Sequence, residues 1–226
     1  MLIRLVIFDL DGTLIDSLGD LADAMNAVLD EMRYPVHPMD SYRHFVGDGI
    51  AMLVRRALPS EVVDDIEIPE VVAAMRKEYS GRWLATTRPF PEIPELLATL
   101  RSRQIYTAVL SNKPDHATQE IVGELFAENA FEVVQGALDD VPLKPDPTST
   151  LEIISELGVS PQQTVFVGDT PIDMMNGTKA GTQTVGVTWG FRETHELVDA
   201  GADHVIHRPL ELLRFLNGLT RGGCRS

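Results

Sequence analysis

Two hydrophobic rhythms alternate along the chain. Short apolar runs rich in branched residues occur at Leu2 to Phe8, Ile105 to Leu110, Thr164 to Val167 and Thr184 to Val187. They show little polar alternation, which predicts strands buried on both faces. A weaker strand is predicted at Glu132 to Gln135 and a short edge strand at Asp203 to Ile206. Helical spacing appears between the strands. Ile93, Leu96, Leu97 and Leu100 recur with Pro91 and Pro94 near the start, and Leu151, Ile154 and Leu157 recur until Gly158. Strands alternating with helices predict parallel βαβ units and an α/β fold with a doubly wound parallel sheet.

One stretch breaks that rhythm. From Asp16 to Ala85 the pattern is helical, with no strand signal. Leu18, Leu21, Ala22, Met25, Val28, Leu29 and Met32 form one apolar stripe. Further helices are predicted at Gly49 to Leu58 and Pro69 to Leu84, with Pro35, Pro38, Pro59 and Pro69 as breakers. The expected division is an α/β core of residues 1–15 and 86–226, with an all-α helical cap of residues 16–85 inserted after the first strand.

Composition narrows the partners. The formal net charge of −15 over 226 residues argues against nucleic acid and anionic membranes, both of which are bound through clustered Lys and Arg. With Cys224 the only cysteine, neither an intramolecular disulfide nor a Cys-based zinc site is expected. The first apolar run is too short to span a bilayer and is followed at once by Asp9 and Asp11, with no small-residue cleavage site. The expected location is cytoplasmic. Oligomeric state, monomer or homodimer, is not legible. The six histidines show no metal-ligand spacing.

Candidate chemistry collects where strands end. The first strand runs into Asp9-Leu10-Asp11-Gly12-Thr13-Leu14. Carboxylates two positions apart on a strand point the same way. They repel unless a proton or cation intervenes. Ligands of open α/β sheets sit beyond the carboxyl ends of the strands. The second strand leads into Ser111-Asn112-Lys113-Pro114, where a hydroxyl and helix-start N–H groups suit a phosphate oxygen. Lys144-Pro145 follows Asp139 and Asp140 in a loop; a compact ammonium there suits phosphoryl oxygens. Another strand ends in Gly168-Asp169-Thr170-Pro171-Ile172-Asp173, adding two carboxylates at the same sheet edge. Oxygen ligands of this kind suit a hard cation such as Mg²⁺. Taken singly, each motif also fits a solvated loop or a helix cap.

Together and in this order, the four motifs resemble those of the haloacid dehalogenase-like hydrolase superfamily. Pro89-Phe90-Pro91, Ala180-Gly181 and Gly201-Ala202-Asp203 extend the similarity over most of the chain. The resemblance implies a Rossmann-like core, with Mg²⁺ held by Asp9, the Asp11 carbonyl and Asp169, and with Asp173 behind them. It implies catalysis by Asp9 as nucleophile and Asp11 as acid and base, assisted by Ser111 and Lys144. Thr13 and Asn112 are expected to contact the substrate, a small phosphorylated metabolite.

Phe45-Val46-Gly47-Asp48-Gly49-Ile50 in the cap and Trp189-Gly190-Phe191-Arg192 resemble phosphoglycolate phosphatases. That makes Gly47, Asp48 and Gly49 candidate substrate-binding residues. Arg43, Arg55 and Arg56 are candidate partners for a carboxylate. The expected activity is Mg²⁺-dependent hydrolysis of a phosphate monoester, 2-phosphoglycolate foremost, through an aspartyl phosphate. Alternatives are a sugar-phosphate phosphatase, a β-phosphoglucomutase-like phosphotransferase, and a non-enzymatic metabolite-binding protein on the same scaffold. Mutases commonly carry Val at the Thr13 position, and dehalogenases lack the acid at Asp11. A phosphonate hydrolase needs a reactive cap lysine, and Lys77, the only lysine of residues 16–85, sits in an ordinary amphipathic pattern.

Overall fold

The computed structural model describes residues 2–61, 63 and 68–222, so Cys224 lies outside the described residues. The chain begins with β1 (Leu5–Phe8) and a short strand β2 (Ile15–Asp16). Four helices follow: α1 (Leu18–Glu31), α2 (Tyr42–Phe45), α3 (Ile50–Ala57) and α4 (Ile68–Ser80). After the short strand β3 (Arg88–Pro89) the alternation begins with α5 (Ile93–Ser102), β4 (Tyr106–Pro114), α6 (Asp115–Leu125) and β5 (Val133–Ala137). It continues with α7 (Thr148–Glu156), β6 (Thr164–Gly168), α8 (Pro171–Ala180), β7 (Gln183–Val187), α9 (Thr194–Asp199), β8 (His204–Ile206) and α10 (Glu211–Gly222). The backbone forms two compact units. One holds the residues up to Ile15 and from Pro89 onward, and the other spans Asp16–Arg88.

The α/β unit is built on a six-stranded sheet of order β5-β4-β1-β6-β7-β8, and every pairing is parallel. Helices cover such sheets on both faces, so central strands need apolar residues at successive positions. All residues of β1 and β6 are buried, which accounts for their unbroken apolar runs. On one face Leu5, Ile7, Ala108, Leu110 and Phe166 pack with Ile153 and Ile154 of α7. The chain adds β4 and β5 on one side of β1, then β6, β7 and β8 on the other. The order therefore reverses at β1, and such switch points open a crevice at the carboxyl ends of the strands.

Two strands differ from their predicted extents by three or more residues at one end, the others by no more than two. β1 starts at Leu5, since Leu2 lies exposed at 64%. β4 does not stop at Leu110 but continues through Ser111, Asn112 and Lys113 to Pro114. Its register with β5 shifts between Leu110 and Pro114, so the last residues leave the regular ladder. The helices α2 and α9 and the two-residue strands are too short to leave a periodic pattern, whereas α10, with Leu212, Phe215, Leu216 and Leu219 at helical spacing, was passed over.

In the helical unit, α1 buries Leu18, Leu21, Ala22, Met25, Val28 and Leu29 along one stripe. α4 contributes Val71, Met75 and Tyr79 at helical spacing, and α3 contributes Leu53, Val54 and Ala57. Among the described residues of this unit, one acid, Asp20, is buried. It accepts hydrogen bonds from the N–H and hydroxyl of Thr86 (2.9 and 2.6 Å) and of Thr87 (3.0 and 2.7 Å).

Candidate active site

Asp9 is the first residue past β1. Its N–H donates to the Val167 carbonyl at 2.9 Å, continuing the β1–β6 ladder by one step. The registers Phe8↔Val109 and Phe8↔Val167 place it level with Leu110 and Gly168 at the sheet's carboxyl edge. The chain then turns back through Gly12, whose φ is +85°, a conformation that a residue with a side chain rarely adopts. Space demands glycine as well: a Cβ there would lie 2.3 Å from Asp169 Oδ2.

Asp169 is held from two directions. Its Oδ1 accepts from the Thr13 hydroxyl at 3.0 Å and its Oδ2 from the Phe191 N–H at 2.8 Å. Gly190 makes the second contact reachable, because a Cβ there would meet Asp169 Cβ at 2.3 Å and the Gly12 carbonyl at 2.5 Å. The indole N–H of Trp189 donates to the Thr13 carbonyl at 3.0 Å, tying the same loop to the turn after β1. Sequence reasoning noted Trp189-Gly190-Phe191 only as family-like and gave these residues no role. Asp173 sits in the first turn of α8. Its Oδ2 accepts from the N–H and hydroxyl of Thr170 (3.0 and 2.6 Å), a capping box, and its Oδ1 faces Lys144.

The Lys144 ammonium is buried and directed at three oxygens: Asp9 Oδ1 at 2.8 Å, Asp173 Oδ1 at 2.8 Å and the Leu110 carbonyl at 2.9 Å. An ammonium has three donors, so this set matches its capacity. Its backbone is fixed by Asn112, whose Oδ1 accepts from the Lys144 N–H (2.9 Å) while its Nδ2 donates to the Lys144 carbonyl (3.1 Å). Ser111, beside Asn112, lines a small cleft together with Lys144. Its Oγ accepts from the Lys113 N–H at 3.2 Å. The Lys113 ammonium donates to both carboxylate oxygens of Asp11, each at 2.9 Å.

These contacts give two of the expected site residues partners within the protein. Thr13 and Asn112 were assigned to the substrate. Thr13 is fully buried with its hydroxyl on Asp169, and both polar ends of the Asn112 amide are spent on the Lys144 backbone. Each serves as a support for a charged neighbour. In the helical unit Gly47 and Gly49 have φ of +115° and +84°, giving a sharp loop around Asp48. Asp48 is ion-paired with Arg56, whose Nη1 also donates to the carbonyls of His44 (3.3 Å) and Phe45 (3.2 Å). Arg56, expected as a carboxylate partner for substrate, is thus engaged with its own loop. Arg55 and Arg43 are exposed, Arg43 lying 4.0 Å from Asp40.

Electrostatics set this site apart. Asp9, Asp169 and Asp173 are buried, each offering a carboxylate oxygen within 4.8 Å of the others'. Burial and the neighbouring Asp173 push Asp9 up to about 7 against the pull of Lys144. Burial, then Asp9 and Asp173, raise Asp169 well above the usual carboxylate range, despite the Phe191 and Thr13 hydrogen bonds. Burial alone depresses a lysine, but Asp173 and Asp9 outweigh it and Lys144 is raised. Three carboxylates against one ammonium leave negative charge at the sheet edge. The donor set is all oxygen and fits a hard dication; a cation among these oxygens offsets the repulsion.

A six-stranded parallel sheet with an acid cluster and a buried lysine at its reversal point is the arrangement of a Rossmann-like protein with a charged site at its strand ends. Residues 6–187 match the model of the haloacid dehalogenase-like hydrolases, and the chain belongs to that family. It is 33% identical over 214 residues to a phosphoglycolate phosphatase of Aquifex aeolicus, covering 95% of this chain and 97% of the relative. A phosphoglycolate phosphatase of Pseudomonas putida KT2440 is 37% identical over 193 residues, covering 83% and 70%. Among solved structures, one from Lactobacillus delbrueckii subsp. bulgaricus superposes with a TM-score of 0.89 at 28% identity, covering 96% and 99%. A haloacid dehalogenase-like family hydrolase of Streptococcus pneumoniae gives 0.84 at 26%, covering 94% and 98%. Among the described residues, no helix is long and apolar enough to cross a membrane.

Proposed function

We propose that this chain is a Mg²⁺-dependent phosphatase that hydrolyses a small phosphate monoester, 2-phosphoglycolate foremost, through an aspartyl phosphate on Asp9. The observation that carries the chemistry is a carboxylate at the tip of the central strand, fixed through Oδ1 by a buried lysine that also holds Asp173. The substrate rests on the similar proteins named phosphoglycolate phosphatase.

Asp9 attacks phosphorus in line, and the bond from phosphorus to the ester oxygen breaks. Asp11 gives its proton to the departing alcohol, then takes one from the water that cleaves the acyl phosphate, releasing inorganic phosphate. Ser111 binds a phosphoryl oxygen, and Lys144 neutralises charge that develops there. Asp9, Asp169 and the Asp11 carbonyl would hold Mg²⁺, with Asp173 behind them; bound there, the ion supplies further charge neutralisation of the phosphoryl group. Substrate choice is assigned in the same proposal to the Gly47-Asp48-Gly49 loop.

Phosphate release from a panel of 2-phosphoglycolate, glucose phosphates, nucleoside monophosphates and pyrophosphate tests this, each as kcat/KM with and without Mg²⁺. A lead of about tenfold for 2-phosphoglycolate, lost in Asp9→Asn, supports it. Interconversion of glucose phosphates without net phosphate release favours the phosphotransferase. Silence on every ester, with wild type and Asp9→Asn alike, favours the binding protein.

A further inference from the structure

Lys113 is a buried cation that the mechanism above leaves unused. It lies on the part of β4 that overruns the regular ladder, between Ser111 and Pro114. Its ammonium points at Asp11 and meets both carboxylate oxygens at the same 2.9 Å. Two equal contacts from one ammonium hold the carboxyl group in place through both of its oxygens. The side chains are 5% and 14% exposed, so water offers little competition.

The backbone beneath the lysine is constrained from three sides. Its N–H donates to Ser111 Oγ (3.2 Å), and its carbonyl accepts from the Thr118 hydroxyl (3.3 Å). Gly136 of β5 packs so closely that a Cβ there would lie 2.7 Å from that carbonyl. Such support is what a group aimed with sub-ångström tolerance needs. The acid cluster pairs with its own lysine, Lys144, through Asp9 and Asp173, whereas Lys113 pairs with Asp11.

We infer that Lys113 is a positioning residue for Asp11, holding in place the carboxyl that transfers a proton to the leaving alcohol. The inference rests on the role given to Asp11 under the proposed function. Lys113 forms and breaks no bond. Asp11 delivers its proton to the ester oxygen while the oxygen–phosphorus pair leaves with the alcohol, and Lys113 sets only where that donor stands.

The test is a double-mutant cycle of Lys113→Met and Asp11→Asn. It is read as kcat/KM on the best alkyl ester of the panel and on p-nitrophenyl phosphate, with Mg²⁺ present. An alkoxide leaves poorly without a proton, whereas p-nitrophenolate is a stable anion that leaves unaided. Lys113→Met should lower kcat/KM on the alkyl ester by roughly 10–100-fold, part of what a positioned acid supplies. On p-nitrophenyl phosphate the loss should stay within about threefold, the aryl ester drawing little on that acid. In the Asp11→Asn background the lysine substitution should add nothing on either ester.

Equal losses on the two esters overturn the inference, because the ammonium would then act on the phosphoryl group. A full loss persisting in Asp11→Asn overturns it too, because the lysine would then act independently of Asp11. If Asp11→Asn itself leaves the alkyl ester unaffected, the acid assignment fails and this inference fails with it; the first two outcomes leave Asp11 in its role. Thermal melting of each variant separates these results from loss of fold. Lys113→Gln enters the same cycle should the Met variant not fold.

Discussion

The two units of this protein each bury aspartate, and they treat it in opposite ways. Asp20 in the helical unit accepts from four donors of Thr86 and Thr87. Burial raises a carboxyl, but here the hydrogen bonds outweigh it and Asp20 is held below its ordinary value. Asp9 and Asp169 in the α/β unit are raised, since burial is compounded by neighbouring carboxylates. A carboxylate ringed by fixed dipoles is a structural tie. Carboxylates crowded around one ammonium hold stored repulsion, and perturbed groups of that kind mark functional sites. Burial alone does not separate the two cases; the partners do.

Exchanging the charge at Asp9 breaks this contrast most severely. Asp9→Asn removes the nucleophile and should lower kcat by roughly 10⁴-fold or more. It also removes one repelling charge, so the metal-free variant should melt no lower than wild type. A variant that loses both activity and several degrees of melting temperature would place Asp9 with Asp20, as a structural tie.

Stability against pH sharpens the same point without mutation. Asp9 is raised from 3.8 to about 7 on folding, so between those values the folded chain binds more protons than the unfolded chain. Stability must then fall as pH rises through that window. Asp169, raised for the same reasons, adds to the fall. Asp20 has the opposite sign, and its contribution is lost only as pH drops below the ordinary carboxylate range. In the presence of a chelator, the denaturation midpoint should decline from pH 5 to pH 8. Added Mg²⁺ should flatten the decline, and Asp9→Asn should reduce it. A midpoint that rises over the same range contradicts the raised acids.

Removing the tie in the helical unit gives the converse result. Asp20→Ala strands the two N–H groups and two hydroxyls that it now satisfies. Leaving buried donors without an acceptor should cost about 2–4 kcal/mol in denaturant unfolding. Asp20→Asn keeps one acceptor oxygen and should fall between. A loss below that of an ordinary surface substitution would show that the four contacts are replaced by water.

What was legible in the sequence follows from the same physics. Parallel strands buried on both faces leave unbroken apolar runs, so β1 and β6 were readable, and so was the α/β sheet that they imply. Asp9 and Asp169 stand just past strand ends, Lys144 in a loop and Asp173 in the first turn of α8, where residue order along the chain locates them. Asp20 left no trace, because its partners lie 66 and 67 residues away and its helix reads as an ordinary amphipathic stripe. Gly190 and Phe191 were passed over for a similar reason: their work is a close approach to Asp169 across 22 residues. The protein partners of Thr13 and Asn112 were not legible, because a short polar side chain beside a catalytic motif looks the same whether it faces ligand or protein.

Asn112 offers the smallest effect and the most direct way to separate those two roles. Its amide brackets the Lys144 backbone, so Asn112→Ala should leave the ammonium in place but less sharply aimed at Asp9. A substitution outside the reacting centre that slightly misplaces a charged group within it lowers the rate. The expected result is a fall in kcat of about tenfold, KM within about twofold, and a stability loss near 1 kcal/mol for the pair of hydrogen bonds. A substrate-contacting Asn112 predicts the reverse split, with KM rising on every phosphate ester and kcat nearly kept. Lys144→Met serves as the limiting case: its loss should exceed that of Asn112→Ala, and the double variant should be no worse than Lys144→Met alone. An additive double variant would mean that the amide has an influence on the reaction that does not pass through Lys144.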